Sequence, residues 1–174
     1  MKPPAWHIAT LRPDQIDALG TLARTIWLQH YPGIISLAQI DYMLVQRYHS
    51  DAIRAQLGQA GQDWTVAQTV GELIGFAHAF PVTDALRFKL DKLYVHPDWQ
   101  RRGVGAALLN QVESAARQHG CTLITLRTNR HNHIALAAYR RYGFVIRAEV
   151  VTNIGAGFVM DDFVLEKNLR NRPD

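Results

Sequence analysis

A chain of 174 residues that is 48% hydrophobic and 20% charged has the make-up of an ordinary globular protein, which excludes disordered and fibrous classes. It suits one domain over 1–174 that buries roughly 70% of the unfolded chain's surface. Nineteen basic residues against 15 acidic ones leave +4, and with no reading helix, zinc finger or aromatic RNA-binding motif the expected partner is a small anionic molecule and not nucleic acid.

One cysteine, Cys121, rules out an internal disulfide and fits a reducing compartment. No run reaches the ~18 apolar residues of a membrane span. MKPPAWHIATLRPD has no apolar signal segment, so a cytoplasmic protein without a membrane partner is expected.

Trp6 to Leu11 reads as a first strand. Asp14 is placed to cap a helix carrying Ile16, Leu19, Leu22, Ala23, Ile26 and Trp27 at helical spacing, which Pro32 and Gly33 end. Ser36 and Gln39 form a capping box ahead of Ile40, Met43, Leu44 and Tyr48, and a short helix is expected from Ser50 to about Leu57. Strands follow at Trp64 to Val70 and Leu73 to Phe80, with Gly71 and Glu72 as a two-residue hairpin turn. On the second of them Ile74, Phe76, His78 and Phe80 share one face. Gly75, Ala77 and Ala79 share the other, where their small size admits a closely packed element.

After a loop at Pro81 to Ala85 comes a strand from Leu86 to Val95. A helix from Gly103 to about His119, with Val104, Leu108, Val112 and Ala116 on one stripe, ends at Gly120. The alternating strand Thr122 to Arg127 then lies parallel to the strand before that helix, through a right-handed crossover. A helix from Asn132 to Tyr142 ends at Gly143, and Phe144 to Val151 pairs with Phe158 to Lys167 around a loop at Ile154 to Gly157. Antiparallel strands leading into one parallel pair give an α/β fold of the α+β, mixed-sheet kind, with helices on both faces.

The chemistry concentrates in LYVHPDWQRRGVGAALL, Leu93 to Leu109. A strand that passes through a basic, Gly-containing turn into a helix leaves unpaired N–H groups at the helix start, where the peptide dipoles also favour an anion. That is a seat for phosphate. A Walker A loop is excluded because Ala106 and Ala107, not Lys and Ser/Thr, follow Gly105. The dinucleotide fingerprint fails at Leu108, where its third glycine belongs.

The remaining pattern, QRRGVGAALL, resembles motif A of the GNAT family of N-acetyltransferases, Q/R-x-x-G-x-G/A, which holds the pyrophosphate of acetyl-CoA. A second block, LRTNRHNHIALAAYRRYGF, is similar to that family's motif B through Asn132, Ala135, Tyr139, Gly143 and Phe144. The two occur in the family's order, and the likeness spans roughly residues 64 to 167. It implies a GNAT-like acyl-CoA N-acyltransferase fold, mostly antiparallel, whose one parallel strand pair splays apart to admit the pantetheine arm.

The resemblance also implies site residues. Leu93, Tyr94 and Val95 would offer backbone groups to the cofactor. Gln100, Arg101, Arg102, Gly103, Val104, Gly105 and Ala106 would hold its diphosphate, and Asn132 and Tyr139 would complete the seat. Seven residues, about two helical turns, put Asn132 and Tyr139 on one side of their helix. Acetyl transfer to an amine forms an oxyanion and expels a thiolate. The site therefore needs an N–H donor, implied near Val95, and an acid, implied to be Tyr139.

The family's usual base position is Lys89 here, so Asp91, the nearest carboxylate, becomes the candidate, with His78 and Glu72 behind it. Trp27 and Tyr31 are either core aromatics or acceptor-site walls. Alternation turns Asp161 and Asp162 to opposite faces, so that one, taken as Asp162, can meet a cationic substrate. His131 and His133 lack a third ligand, and no metal is expected.

The expected function is transfer of acetyl from acetyl-CoA to a primary amine by direct attack. The segment IWLQHYPGI and the tail are similar to polyamine and diamine acetyltransferases. A non-catalytic acyl-CoA sensor and acetylation of a protein N-terminus or lysine are the alternatives, and a homodimer stays open.

Overall fold

The structure, a computed structural model, describes residues 6–82 and 86–170. Residues 1–5 and most of the loop expected at 81–85 lie outside the described part. Seven strands form one sheet: β1 His7–Thr10, β2 Asp63–Gln68, β3 Leu73–Val82, β4 Arg87–Val95, β5 Leu123–Asn129, β6 Val145–Gly155 and β7 Phe158–Asn168. Five helices flank it: α1 Ile16–His30, α2 Leu37–Tyr48, α3 Ser50–Leu57, α4 Val104–Gln118 and α5 His133–Arg141. The strand order is β1-β2-β3-β4-β5-β7-β6, antiparallel except for the parallel pair β4 and β5.

Two cores follow from the alternation of the central strands. Val104, Leu108 and Val112 of α4 pack on Ala77, Ala79, Phe88 and Leu90, and Leu136 of α5 joins them. The closeness of α4 comes from Gly75, where an added Cβ would lie 2.9 Å from the Tyr94 carbonyl and 3.2 Å from Leu108. On the opposite face, α1 to α3 pack Leu19, Ile26, Trp27, Ile40 and Met43 on Val66 and Phe76.

Several local expectations are corrected. Asp14 caps nothing: it lies within a 3-10 turn, Pro13–Gln15, and pairs with Arg12 at 3.0 Å. The capping box of α2 is half made, since Ser36 accepts the Gln39 N–H at 3.1 Å while the Gln39 side chain reaches across to the Val159 carbonyl at 2.7 Å. The β2–β3 turn falls one residue early, on Val70 and Gly71, closed by Thr69 N–H to the Glu72 carbonyl at 3.0 Å. Gly71 alone supplies its positive φ of 116°. The loop expected at Ile154 to Gly157 is a two-residue turn, Ala156 and Gly157, both at positive φ, so β6 and β7 run longer than their hydrophobic patterns suggest. That hairpin tip is held over α2 by Gln39 and by Tyr42, whose hydroxyl donates to the Ile154 carbonyl at 2.7 Å.

Candidate active site

The site begins with a bulge. β3 pairs Ala79 with Leu90 and His78 with Lys92, which leaves Asp91 as an extra residue on β4. A bulge bends its strand and strengthens its twist. The parallel pairing of β4 with β5 accordingly stops at Leu90 opposite Leu126, although β4 runs on to Val95 and β5 to Asn129. The expected splay is present, and one extra residue makes it. β7 holds the other edge of β5 along its whole length, so the gap opens on the β4 side alone.

Ladder phase fixes which backbone groups face the gap. His96 N–H donates to the Ile74 carbonyl at 2.8 Å, and bonded and non-bonded pairs alternate from there. Tyr94 and Lys92 therefore spend their amides on β3, while Leu93 and Val95 turn theirs to the gap. Tyr94 is thus corrected as a backbone donor; it contributes its phenol, 3.1 Å from that of Tyr31. The Val95 carbonyl accepts the Gln100 side chain at 3.3 Å, tying the gap to the turn below it.

In that turn, Pro97–Trp99 form a 3-10 segment, Arg101 and Gly103 sit at φ 59° and 82°, and Ala107 N–H to the Gly103 carbonyl is the first bond of α4. The amides from Arg101 to Ala106 donate to no backbone carbonyl. They form an open row at the positive end of a 15-residue helix. Gly103 is needed for its φ. Gly105 is not crowded, since a Cβ there would meet only Val95 at 3.7 Å, an ordinary contact. Arg101 and Arg102 are exposed, with Arg102 stacked on Trp99 at 5.2 Å.

Above the gap lies a cavity of about 340 Å³ walled by α1, α2, β4, β5, α5 and the β6–β7 hairpin. It collects Trp27, Tyr31, Asp91, Leu93, Tyr94, Val95, Gln100, Asn132, Tyr139 and Asp162 from the sequence candidates. Arg101 to Ala106 stay outside it, on the surface turn. His78 and Glu72 are not among its walls: His78 lies behind β4, stacked on Trp64 at 4.3 Å and bonded to Gln62 at 2.7 Å, and Glu72 is exposed on the β2–β3 turn.

Asn132 caps α5, its Oδ1 accepting from Ala135 N–H at 3.2 Å and from His30 Nε2 at 3.0 Å. Both acceptances use the same oxygen, which leaves the amide N–H2 unused among the described residues, on a side chain that walls the cavity. Tyr139, packed on Phe144 at 5.4 Å, has its pKa pushed above the ordinary value by burial and by Tyr94, so the phenol keeps its proton.

Charge in the cavity is uneven. Burial alone would raise the pKa of Asp91, but the His78 ring at 3.5 Å and the charges of Arg47 and Lys92 outweigh it and hold the carboxylate far below its usual range. Arg47 stands at 3.2 Å and Lys89 at 3.5 Å, with Lys92 in direct contact. A carboxylate so stabilised is a poor base. Asp162, 4% exposed and opposite Asn129 and Val150, is the reverse case: burial pushes its pKa up to about 6, against the pull of Arg127 and Arg47. Its neighbour Asp161 faces outward to Arg130 at 3.0 Å.

The cavity residues that the sequence hid are Arg47 and Lys92. Arg47 shares a stripe with Ile40, Met43 and Leu44, and Lys92 follows Phe88 and Leu90 in alternation. A charge on an apolar stripe was the available signal. His131 and His133 are exposed on the surface at the start of α5, and no cluster of metal-ligating side chains occurs among the described residues. No helix of the described residues is long and apolar enough to cross a membrane.

A model of the Acetyltransferase (GNAT) family matches residues 27–144. The chain is similar to the spermidine N(1)-acetyltransferase of Thermoplasma acidophilum, 23% identical over 159 residues that cover 89% of this chain and 95% of the relative. It is also similar to N-acetyltransferase 8 of Homo sapiens, 30% identical over 145 residues, 80% of this chain but 60% of the relative. Its fold matches the crystal structure of the PaiA N-acetyltransferase from Thermoplasma acidophilum in complex with coenzyme A with a TM-score of 0.82, over 94% of this chain and 98% of that one, at 23% identity. The family match takes in the gap, the open row of amides and the helix that carries Tyr139; the chain belongs to the acetyltransferase (GNAT) family.

Proposed function

We propose that acetyl-CoA lies along the gap between β4 and β5 and that its acetyl group passes directly to a small primary amine held in the cavity. The observation that carries this reading is a continuous open track: free amides from Arg101 to Ala106, amides of Val95 and Leu93 turned to the gap, and the Tyr139 phenol on the cavity wall. A diphosphate fits the first part, because it needs several N–H donors at a helix start and no metal. Gly105, bare without steric need, leaves those amides uncovered. The pantetheine arm fits the second part as an added strand, and the unused Asn132 amide N–H2 donates to one of its carbonyls.

The chain's own groups then supply what the transfer requires. An amide of β4 that faces the gap stabilises the oxyanion formed when the amine attacks the thioester carbonyl. Tyr139, kept protonated by burial, donates to the departing sulfur. The amine is met on the α1 and α2 side of the sheet, between Trp27, Tyr31 and the β6–β7 hairpin. Similarity to a spermidine acetyltransferase supports a small amine as acceptor.

Two measurements on the full chain test this. Calorimetry with acetyl-CoA is expected to show one site that Gly103→Val weakens. Thiol release is expected with at least one acceptor in a panel of amino acids, diamines, polyamines and peptides. Absence of binding rejects the track, and binding without release from any amine rejects the transfer.

A further inference from the structure

Three polar groups on the cavity walls have no partner of their own: the indole N–H of Trp27 and one group on each of two charged residues. One carboxylate oxygen of Asp162, on a residue 4% exposed, is buried without a hydrogen bond, and so is the Nε–H of Arg47. Both residues wall the same cavity, and the charge of Arg47 acts on Asp162. An acceptor and a donor left open in a buried site are each costly unless something else completes them.

The overall charge points the same way. Four cationic side chains, Arg47, Lys89, Lys92 and Arg127, wall the cavity against two carboxylates, Asp91 and Asp162. Asp91 already faces three of those cations and cannot neutralise them all. The diphosphate does not account for the excess, because none of its row from Arg101 to Ala106 reaches the cavity, and a pantetheine thioester is uncharged. The excess belongs to the acceptor's half of the site.

Resting on the acetyl-transfer reading above, we propose that the acceptor is a small amine that also carries a carboxylate: its ammonium is taken by Asp162 and its carboxylate by Arg47 together with Lys89. Lys92 is already in direct contact with Asp91 and contributes field alone. A polyamine would add several positive charges to a site already in positive excess, and like charges brought together across a binding site are costly.

The same assignment supplies the base. The acceptor nitrogen must shed two protons. The first passes from the ammonium to Asp162 and on to solvent, which frees the lone pair to form the C–N bond. The second leaves as the tetrahedral adduct collapses and the C–S bond breaks; it replaces the proton that Tyr139 gives to the thiolate. The products are the N-acetylated amine and coenzyme A thiol.

The test is thiol release from acetyl-CoA with matched acceptors: amino acids, the carboxamide of each, and the diamine of equal length. The expected result is a kcat/KM at least about 10-fold higher for the carboxylate than for its carboxamide, with the diamine lower still. Arg47→Gln is expected to reduce that preference. Lys89→Gln, whose side chain is 39% exposed and lies 3.5 Å from Asp91 and 5.4 Å from the centre of the Phe80 ring, is expected to reduce it at least about threefold with little risk to folding. Equal or better use of the carboxamide or diamine overturns the carboxylate assignment while leaving acetyl transfer standing, and so does a preference that neither variant changes. No release with any acceptor overturns the transfer reading as well.

Discussion

The two ends of the β4–β5 gap are built on opposite principles. At the lower end an anion seat is made of backbone: consecutive amides at the start of α4, set by two positive-φ residues and open to solvent. At the upper end the cavity is made of side chains drawn from six separate elements, and its charges are buried against each other. Backbone donors recognise the one group common to every acetyl-CoA, so they tolerate any side chain that keeps the turn. Buried side chains recognise what differs between acceptors, so each of them matters singly. A substitution that harms both ends equally would argue against this division of labour.

The largest effect is expected where the ends meet. Tyr139→Phe removes only the hydroxyl, and turnover is expected to fall about 10² to 10⁴-fold while acetyl-CoA affinity changes little. Pre-steady-state thiol release alongside calorimetry checks it. Unchanged turnover with chemistry rate-limiting would place the acid elsewhere.

Asp162→Asn comes next, and its signature is a gain beside a loss. Burial lifts the Asp162 pKa from 3.8 to about 6, while Arg127 and Arg47 pull it down and Asp161 pushes it up. The folded state therefore holds this proton more tightly than the unfolded chain does. Stability from this group is full below about pH 4 and is lost as pH rises through 6. At neutral pH the ionised group costs up to about 3 kcal/mol. The Asn variant is expected to melt higher than wild type at pH 8 but not at pH 4, yet to lose about 10²-fold in kcat/KM. Lower stability at pH 8 would mean that the carboxylate has a structural partner.

The same division explains what could be read from residues in a row. The anion seat was legible because Gln100 to Ala106 are contiguous and act through their backbone, which needs only a turn and a helix start. The helix of motif B was legible for the same reason, with Asn132 as cap and Gly143 as stop. The bulge was not: nothing at Asp91 marks it, and it exists only in the register of β4 against β3. Arg47 and Asp162 lie 115 positions apart in the chain, and only the stacking of α2 over the β6–β7 hairpin brings them to one cavity. The choice of Asp91 as base followed from counting along a strand, where the neutralising charge of Arg47 on α2 is invisible.

Smaller effects separate the turn from the cavity. Gly103 has φ 82° and nothing within 4 Å of an added Cβ, so Gly103→Ala costs conformational strain alone, about 1 kcal/mol, or a fall in Tm of about 2–4 °C. It is expected to weaken acetyl-CoA without altering discrimination among amines. Altered discrimination in that variant would show that the two ends are coupled.

Asn132 gives the finest distinction, because its two halves do different work. The oxygen caps α5 and receives His30; the N–H2 is left over on a side chain that walls the cavity. Serine caps a helix about as well as asparagine, so Asn132→Ser is expected to cost only a few tenths of a kcal/mol in stability, and Asn132→Ala about 1 kcal/mol. Both variants lose the amide N–H2. If that group holds the pantetheine arm, calorimetry will show the two variants equally weakened toward acetyl-CoA, by about 5 to 10-fold, the worth of one neutral hydrogen bond, despite their different melting temperatures. Should affinity instead follow stability from serine to alanine, the asparagine would be a cap and nothing more, and the arm would be held by β4 alone.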